Sequence, residues 1–140
     1  KKIYYYSMCE HREMKTLTLI LAISFSTAMF SVPSYAEWSK IGESEAGNMF
    51  YLDYDSMRET GKFVYWWDLA NYLERQSRGE LSFRSYNQGD CEIFSLKTLE
   101  YSFFDKKWAK GNKIESGEYP WSYPEPDSML ETILKSVCSQ

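Results

Sequence analysis

The sequence predicts an α+β fold, in which an antiparallel β-sheet carries a C-terminal helix that packs on it and is joined to it by a disulfide. Runs of alternating apolar and polar residues, separated by turns that contain Gly and Asn, follow one another between residues 38 and 116 and are typical of strands. The segment after residue 127 has the clearest helical pattern. Strands followed by a terminal helix are typical of α+β domains.

Residues 14–36 have the pattern of a secretory signal peptide. The basic start Met14-Lys15 is followed by the apolar run 17–30, and Ser34 and Ala36 occupy the −3 and −1 positions of a cleavage site. A transmembrane anchor is the alternative, but this run is too short to span a bilayer comfortably, and hydroxyl side chains dilute it. The sequence therefore predicts an exported protein, in the periplasm or at the cell surface, with no transmembrane anchor after cleavage.

The mature protein is expected to be a single domain over residues 37–140. Residues 1–13 precede the natural start of the signal peptide and are interpreted as an upstream extension that is not native, so Cys9 and His11 are excluded from the fold. The mature segment has 12 basic and 18 acidic residues, a net charge of −6. An acidic domain does not favour nucleic acid as a partner. No cysteine follows the apolar run at the cleavage point, so no lipid anchor is expected.

Cys91 and Cys138 are the two cysteines of the mature segment. In an exported chain an even number of cysteines indicates disulfides, and with two cysteines the pairing is forced. The bridge would close 47 residues, for which the chain-entropy relation gives about 4 kcal/mol as an upper guide. The alternative, a pair of free buried thiols, does not suit an oxidising compartment.

The strands predicted from alternation and turn signals cover most of the mature segment. They are a short strand around Trp38 and Ile41, then 49–55, 62–73, 80–86, the stretch from Cys91 to Lys110, and a short strand 113–116. Residues 56–59 have the Ser-x-x-Glu spacing of a capping box and are predicted to form one helical turn. Residues 87–90 are predicted to form a turn. Residues 118–126 hold three prolines and are expected to be an extended surface segment.

Two of these strands have features beyond simple alternation. Both faces of 62–73 are largely apolar, which places this strand at the centre of a sheet or in a dimer contact. A homodimer is therefore one of the assemblies to consider. In the strand that begins at Cys91, the apolar side chains change face near residues 96–98, which predicts a bulge or a strong bend.

The C-terminal helix is predicted from its cap and its apolar stripe. Ser128 followed by Glu131 is a capping box, and Asp127 adds negative charge at the N-terminal end. The two rows of the stripe are Met129, Ile133 and Val137, and Leu130, Leu134 and Cys138. Cys138 is therefore expected on the buried face of the helix, where it can meet a strand.

The mature segment lacks the residue patterns of common catalytic and cofactor sites. With His11 excluded it has no histidine, which argues against Ser-His-Asp and Cys-His catalysis and His-based zinc sites. Neither Gly-rich nucleotide motif is found. Asp53 and Asp55 could be an acid/base pair or calcium ligands, but the solvated face of an amphipathic strand is the favoured interpretation. We therefore expect no enzymatic activity, no cofactor and no metal.

Two groups of residues are candidates for binding another protein. The ten residues 75–84 contain three arginines, Arg75, Arg78 and Arg84. In an acidic protein these could form a recognition patch, and the alternative is that they are ordinary surface residues. Trp66, Trp67 and the segment YPWSYPEP could form an aromatic platform for a peptide or a sugar. The alternatives are the core and a dimer interface, and the core is favoured because a small domain needs its large rings inside.

Several segments occur in an order that is familiar from one family. They are NMFYLDYDSM, GKFVYWWDLANY, Asp90-Cys91, the stretch Tyr101–Gly111 with Trp108, and Pro126-Asp127-Ser128 leading to Val137-Cys138. In the order of these segments and the positions of its cysteines, the chain resembles the surface-adhesin protein E family of Gram-negative bacteria. The resemblance covers roughly residues 38–139. The resemblance implies a small antiparallel sheet flanked by helix, a disulfide between Cys91 and Cys138, and dimerisation.

The resemblance also implies a function. The founding member of the family binds host matrix and serum proteins through a basic segment just before its first family cysteine, and the corresponding segment here is 74–90, which holds the three arginines. We therefore expect an exported, non-enzymatic protein that binds other proteins, host matrix or serum proteins among them. The alternative is a periplasmic accessory or binding module of the cell envelope with no adhesive role.

Overall fold

The computed structural model describes residues 37–140, which form one six-stranded β-sheet and one helix. The elements are β1 (Trp38–Glu43), β2 (Met49–Thr60), β3 (Phe63–Asn71), β4 (Ser82–Asp90), β5 (Ser95–Lys106), β6 (Lys110–Ser122) and α1 (Met129–Val137). Each strand pairs antiparallel with its neighbour in the chain, so the order in the sheet is the order in the sequence. The predicted antiparallel sheet with a C-terminal helix is confirmed, although one helix of nine residues makes the α+β label only partly apt.

The predicted upstream extension 1–13 and signal peptide 14–36, with Cys9 and His11, lie outside the described residues. Within residues 37–140, no helix has the length and apolarity needed to cross a bilayer.

The helical turn predicted at residues 56–59 is wrong, because β2 continues to Thr60. Its pairing with β3 shifts register between Asp53 and Arg58, where the strand bulges. Ser56 does not cap a helix there. Its backbone N–H donates to Asp53 Oδ1 at 3.3 Å, and its hydroxyl donates to the Asp53 carbonyl oxygen at 2.9 Å. These two bonds satisfy polar groups within the bulge, and β2 then resumes its backbone pairing with β3.

The turn predicted at residues 87–90 is also wrong. These residues are the end of β4 and are buried, and the turn follows at 91–94. Polar side chains are tolerated inside the sheet because they find partners there. Asn87 Oδ1 accepts from the Thr98 hydroxyl at 2.8 Å, and Asp90 Oδ2 lies 2.7 Å from Lys62 Nζ. Cys91 is therefore a turn residue, and β5 begins only at Ser95.

The change of face predicted near residues 96–98 is confirmed as a bulge in β5. Tyr86 of β4 pairs with Glu100, and the next residue, Asn87, pairs with Thr98, so Leu99 is an extra residue. The extra residue reverses the alternation and keeps apolar side chains on one face on both sides of the bulge.

The last strand is longer than predicted. β6 runs over 13 residues and forms one edge of the sheet, rather than the short strand 113–116. It includes the first part of the segment 118–126, which is extended and largely exposed, as predicted. Pro120 is compatible with this position, because an edge strand does not need every backbone N–H for its ladder.

The hydrophobic core lies between α1 and one face of the sheet. It is built from Leu52, Val64, Trp66, Leu96, Ile133, Leu134 and Val137. Trp66 is completely buried, which confirms the prediction of a core position for this ring. Gly89 of β4 leaves space for it, because a Cβ at this position would lie 2.9 Å from the Trp66 ring and 3.1 Å from Leu134. Each fully buried large side chain of this kind contributes about 1.5–3 kcal/mol.

The predicted disulfide between Cys91 and Cys138 is confirmed, with 5.7 Å between the two Cα atoms. Cys138 is the C-terminal cap of α1, and Cys91 lies in the turn between β4 and β5. The bridge therefore joins the end of the helix to a hairpin turn.

Ser128→Ala should lower the free energy of unfolding by about 1 kcal/mol, because Ser128 caps α1. Its hydroxyl accepts from the Glu131 N–H at 3.1 Å, and Glu131 Oε2 accepts in turn from the Asp127 N–H at 3.0 Å. Urea unfolding followed by tryptophan fluorescence measures the change. Ser139→Ala removes a hydroxyl just beyond the other end of the helix and is the control, with an expected change below about 0.5 kcal/mol. Equal midpoints for the two variants would contradict the prediction.

Candidate functional site

The face of the sheet opposite α1, here called the second face, has a row of stacked aromatic rings at its centre. Alternation along β3 and β4 brings Tyr65, Trp67 and Tyr86 to this face, and Trp67 pairs directly with Tyr86 across the two strands. The ring centroids of Trp67 and Tyr86 are 4.9 Å apart, and those of Tyr65 and Tyr86 are 6.3 Å apart. All three rings are half-buried, so each still presents part of its surface to solvent.

Arg84 lies beside this row and is held by two rings. Its guanidinium carbon is 4.9 Å from the centroid of Trp67 and 5.6 Å from that of Phe104. The attraction between the cation and the ring faces restrains the side chain on the sheet. Arg84 is half-buried and takes part in no salt bridge within residues 37–140.

Two buried polar atoms next to these rings lack a hydrogen-bond partner among the described residues. They are Arg84 Nε and the hydroxyl of Ser102, the residue that pairs with Arg84 on β5. Most buried polar atoms in folded proteins are satisfied, so these two atoms are exceptions, and their burial keeps a partner protein from reaching them directly. The second face thus combines an ordered cation with partly exposed aromatic rings.

The three predicted arginines do not form one patch. Arg75 is exposed and donates to the carbonyl oxygens of Gly79 and, at 3.3 Å, of Asp105. Arg78 is also exposed, and its guanidinium lies 3.5 Å from Glu80 and 3.3 Å from Glu115. Both are thus engaged by their own chain, whereas Arg84 is stacked on the second face. A role for Arg75 and Arg78 in protein binding stays a prediction.

The aromatic residues considered for a platform have separate surroundings. Trp66 belongs to the core, and Trp67 belongs to the second face. In the proline-rich segment, Trp121 is 43% exposed and Tyr123 is 71% exposed. The prediction of a core position thus applies to Trp66 and is wrong for Trp121 and Tyr123.

Asp53 and Asp55 differ in their environments. Asp55 is exposed, as expected for the solvated face of a strand, but Asp53 is buried, and for it that interpretation is wrong. The Asp53 carboxylate is used by the bulge in β2, where it accepts the Ser56 N–H. Within residues 37–140 no group of three acidic, Cys or His side chains is arranged to hold a metal ion.

The face of the sheet that α1 covers contains a cavity of about 290 Å³, which lies under the N-terminal turn of α1 and beside β6. Most of its wall is apolar and includes Phe50, Phe83, Leu96, Pro120, Leu130 and Ile133. A line of polar residues crosses three strands at its floor. This polar ladder consists of Asp68 on β3, Ser85 and Asn87 on β4, and Thr98 on β5.

Asp68 is the charged member of the polar ladder and is buried. Its Oδ2 accepts from Trp66 Nε1 at 3.3 Å and from Asn87 Nδ2 at 2.9 Å, and its Oδ1 accepts from the Ser85 hydroxyl. Burial raises the pKa of Asp68 to about 6, although the three hydrogen bonds favour the charged form. Asp68 has no Lys or Arg partner within residues 37–140.

The cavity and its ladder were not predicted from the sequence. One signal was available, because Asp68 is the single acidic residue in a strand whose two faces are otherwise largely apolar. A buried carboxylate of this kind is a candidate for function. Its partners in the ladder, Ser85 and Asn87, lie 17 and 19 residues further along the chain, so the ladder becomes visible only once the strands are paired.

Comparisons with known proteins agree with this architecture. The family model described as surface-adhesin protein E matches residues 38–139. A selenomethionine form of Haemophilus influenzae protein E is 20% identical, with a TM-score of 0.55 over 76% of this chain and 91% of that chain. Protein E from non-typeable Haemophilus influenzae is 17% identical, with a TM-score of 0.53 over 77% of this chain and 79% of that chain. At these identities the likeness establishes the fold. No curated protein matches the chain.

Proposed function

This chain belongs to the surface-adhesin protein E family, and on that premise we propose that it is an exported, non-enzymatic protein that binds other proteins through its second face. The family is one of surface adhesins and not a family of enzymes. Host matrix or serum proteins are the expected class of partner. The proposal includes removal of residues 14–36 as a signal peptide, which leaves residues 37–140 as the mature domain.

The observation that carries the proposal is the position of Arg84 on the aromatic row. Trp, Tyr and Arg are the residue types most enriched among those that dominate binding energy in protein interfaces. Here all three occur side by side on a sheet face that α1 does not cover. The rings are ordered by stacking before a partner arrives, which lowers the entropic cost of binding. A carboxylate or carbonyl oxygen of the partner can accept from the half-buried guanidinium of Arg84.

We expect Arg84→Ala to weaken partner binding at least tenfold, and by more than Arg75→Ala does. Arg84 is held by Trp67 and Phe104, whereas Arg75 is exposed and bonded to its own loop. The measurement is binding of the exported protein to a panel of immobilised matrix and serum proteins and to envelope extract. Arg84→Lys keeps the charge but loses the planar, stacked guanidinium, and should weaken binding as well.

The melting temperature of each variant serves as the control for folding. If Arg84→Ala binds as tightly as Arg75→Ala, the second face is not the binding surface. The same variants test the homodimer, because self-association through the aromatic row would be weakened by Arg84→Ala in sedimentation experiments.

The location of the protein separates adhesion from the alternative role in the envelope. Protease treatment of whole cells should digest the domain if it acts at the cell surface. A domain that is protected in whole cells and digested only after the outer membrane is opened would contradict adhesion and favour a periplasmic module.

A further inference from the structure

We propose that the cavity under α1 binds a small amphiphilic amine, with the apolar part of the ligand between the helix and β6 and its ammonium group against Asp68. This inference concerns the helix-covered face of the sheet. It does not depend on protein binding by the second face.

The size and the walls of the cavity suit a compact apolar ligand. Its volume of about 290 Å³ is roughly twice that of the 150 Å³ apolar cavity that is known to hold benzene. A ligand of about a dozen non-hydrogen atoms therefore fits. Leu130 on the first turn of α1 is 37% exposed and also lines the cavity, so it lies at the mouth. Apolar walls with a few convergent polar groups are the usual composition of a small-molecule site.

The charge of the cavity selects a cation. Asp68 is the one charged residue among those that line it, and no Lys, Arg or His of the described residues does so. A buried charge is normally paired with an opposite charge, and within residues 37–140 Asp68 has hydrogen bonds but no cation. A ligand ammonium would supply it. An anionic ligand, such as a fatty acid, would instead place two like charges in an apolar site.

Asp68 also has hydrogen-bonding capacity left. Each carboxylate oxygen can accept two bonds. Oδ2 accepts two, from Trp66 and Asn87, whereas Oδ1 accepts one, from Ser85. An ammonium N–H can donate to the free position on Oδ1.

The N-terminus of α1 lies beside the cavity, but it is not expected to attract an anionic ligand. The Ser128 hydroxyl accepts from the Glu131 N–H, and Glu131 itself brings a negative charge to the first turn. The positive end of the helix is therefore already capped and partly neutralised. The domain as a whole is acidic, which attracts cations to its surface.

Three matched probes test the charge preference: 4-phenylbutylamine, 4-phenylbutanol and 4-phenylbutanoate. They share one apolar body and differ in the charge at the end of the chain. Titrations at pH 7.5, followed by ¹H–¹⁵N NMR, should show the amine binding at least tenfold more tightly than the alcohol, and the carboxylate binding more weakly than both. The signals of the Trp66 indole N–H and the Asn87 side-chain amide should shift, because both groups donate to Asp68.

Asp68→Asn removes the charge and keeps the shape of the site, so it should reduce amine affinity to that of the alcohol and leave alcohol binding unchanged. Asp55→Asn removes an exposed carboxylate on β2 and should leave all three affinities unchanged. The proposal is overturned if none of the probes binds, if wild type binds amine and alcohol equally, or if Asp68→Asn keeps the preference for the amine. Amine-induced shifts confined to exposed acidic residues would indicate general attraction to an acidic surface and would also overturn it.

Discussion

The double variant Cys91→Ala/Cys138→Ala is expected to have a free energy of unfolding about 4 kcal/mol lower than the wild type. The disulfide closes a loop of 47 residues, and without it the unfolded chain gains the conformational entropy that this loop removes. Domains of this size are stable by only about 5–15 kcal/mol, so the loss is a large share of the total. The C-terminal end of α1, where Cys138 is the cap, should fray first.

Urea unfolding under non-reducing conditions measures this effect. Wild type unfolded in the presence of a reductant should match the double variant, and the variant itself should not respond to the reductant. Hydrogen exchange should speed up at Val137 more than at Leu134, because Val137 is the last residue of α1 and adjoins Cys138, whereas Leu134 lies almost one turn further from the bridge. A loss below about 1 kcal/mol would contradict the prediction and would mean that the apolar contacts of α1 are sufficient to anchor it.

Asp68→Asn is expected to raise the free energy of unfolding by about 3 kcal/mol at pH 7.5. Burial raises the folded-state pKa of Asp68 from 3.8 to about 6, and a shift of one pKa unit corresponds to about 1.4 kcal/mol. A raised pKa means that the folded protein binds this proton more tightly than the unfolded chain. The contribution of Asp68 to stability is therefore fully present below pH 3.8 and is lost as the pH rises through about 6.

The free energies of unfolding of Asp68→Asn and wild type should thus be nearly equal near pH 3.5. Their difference should grow between pH 4 and 6 and stay constant above pH 7. Asparagine can keep the ladder, because its oxygen can accept from Trp66 and Asn87 and its amide can donate to the Ser85 hydroxyl. Urea unfolding at four or five pH values measures the difference. Asp55→Asn removes an exposed carboxylate and is the matched control, with an expected change in the free energy of unfolding below about 0.5 kcal/mol at pH 7.5.

Other carboxylates have lowered pKa values and therefore stabilise the folded domain at neutral pH. Their contributions are the same in wild type and variant, so they cancel when the two free energies of unfolding are subtracted. A side-chain hydrogen bond with Lys62 lowers the pKa of Asp90, and hydrogen bonds from Asn112 lower that of Asp105, so their contributions are lost at low pH in wild type and variant alike. An Asp68→Asn variant that is less stable than wild type at pH 7.5 would contradict the prediction. It would mean that the hydrogen bonds to the carboxylate outweigh its desolvation.

A gain in stability for Asp68→Asn would mean that the charge of Asp68 costs the folded domain stability at neutral pH. A buried carboxylate whose pKa is raised by burial is a candidate for a functional residue. Its location at the floor of a cavity is consistent with ligand binding. The stability and binding measurements use the same Asp68→Asn variant, and they are independent, since one requires no ligand.

Features that depend on neighbouring residues could be predicted from the sequence. The cap of α1 by Ser128 and Glu131, the bulge near Leu96–Thr98 and the central position of Trp66 all follow from patterns within a few residues. The disulfide could also be predicted, because the segment expected to be the mature domain has two cysteines, which allow a single pairing. Where local signals conflicted with pairing, pairing prevailed. Ser56–Glu59 has a helical spacing but completes β2, and Asn87–Asp90 has the composition of a turn but ends β4.

The candidate sites, in contrast, are products of the tertiary structure. Arg75, Arg78 and Arg84 are close in sequence, yet one bonds to its loop, one pairs with Glu115 on β6, and one stacks on Trp67. They separate because Arg75 and Arg78 lie in the loop between β3 and β4, whereas the pleat of β4 directs Arg84 to the second face. The polar ladder joins three strands through contacts between residues that are distant in the chain, and the same holds for the cavity above it. Local composition thus determines which elements form, whereas register and burial decide which of their side chains meet and which charges lie buried without a counter-ion.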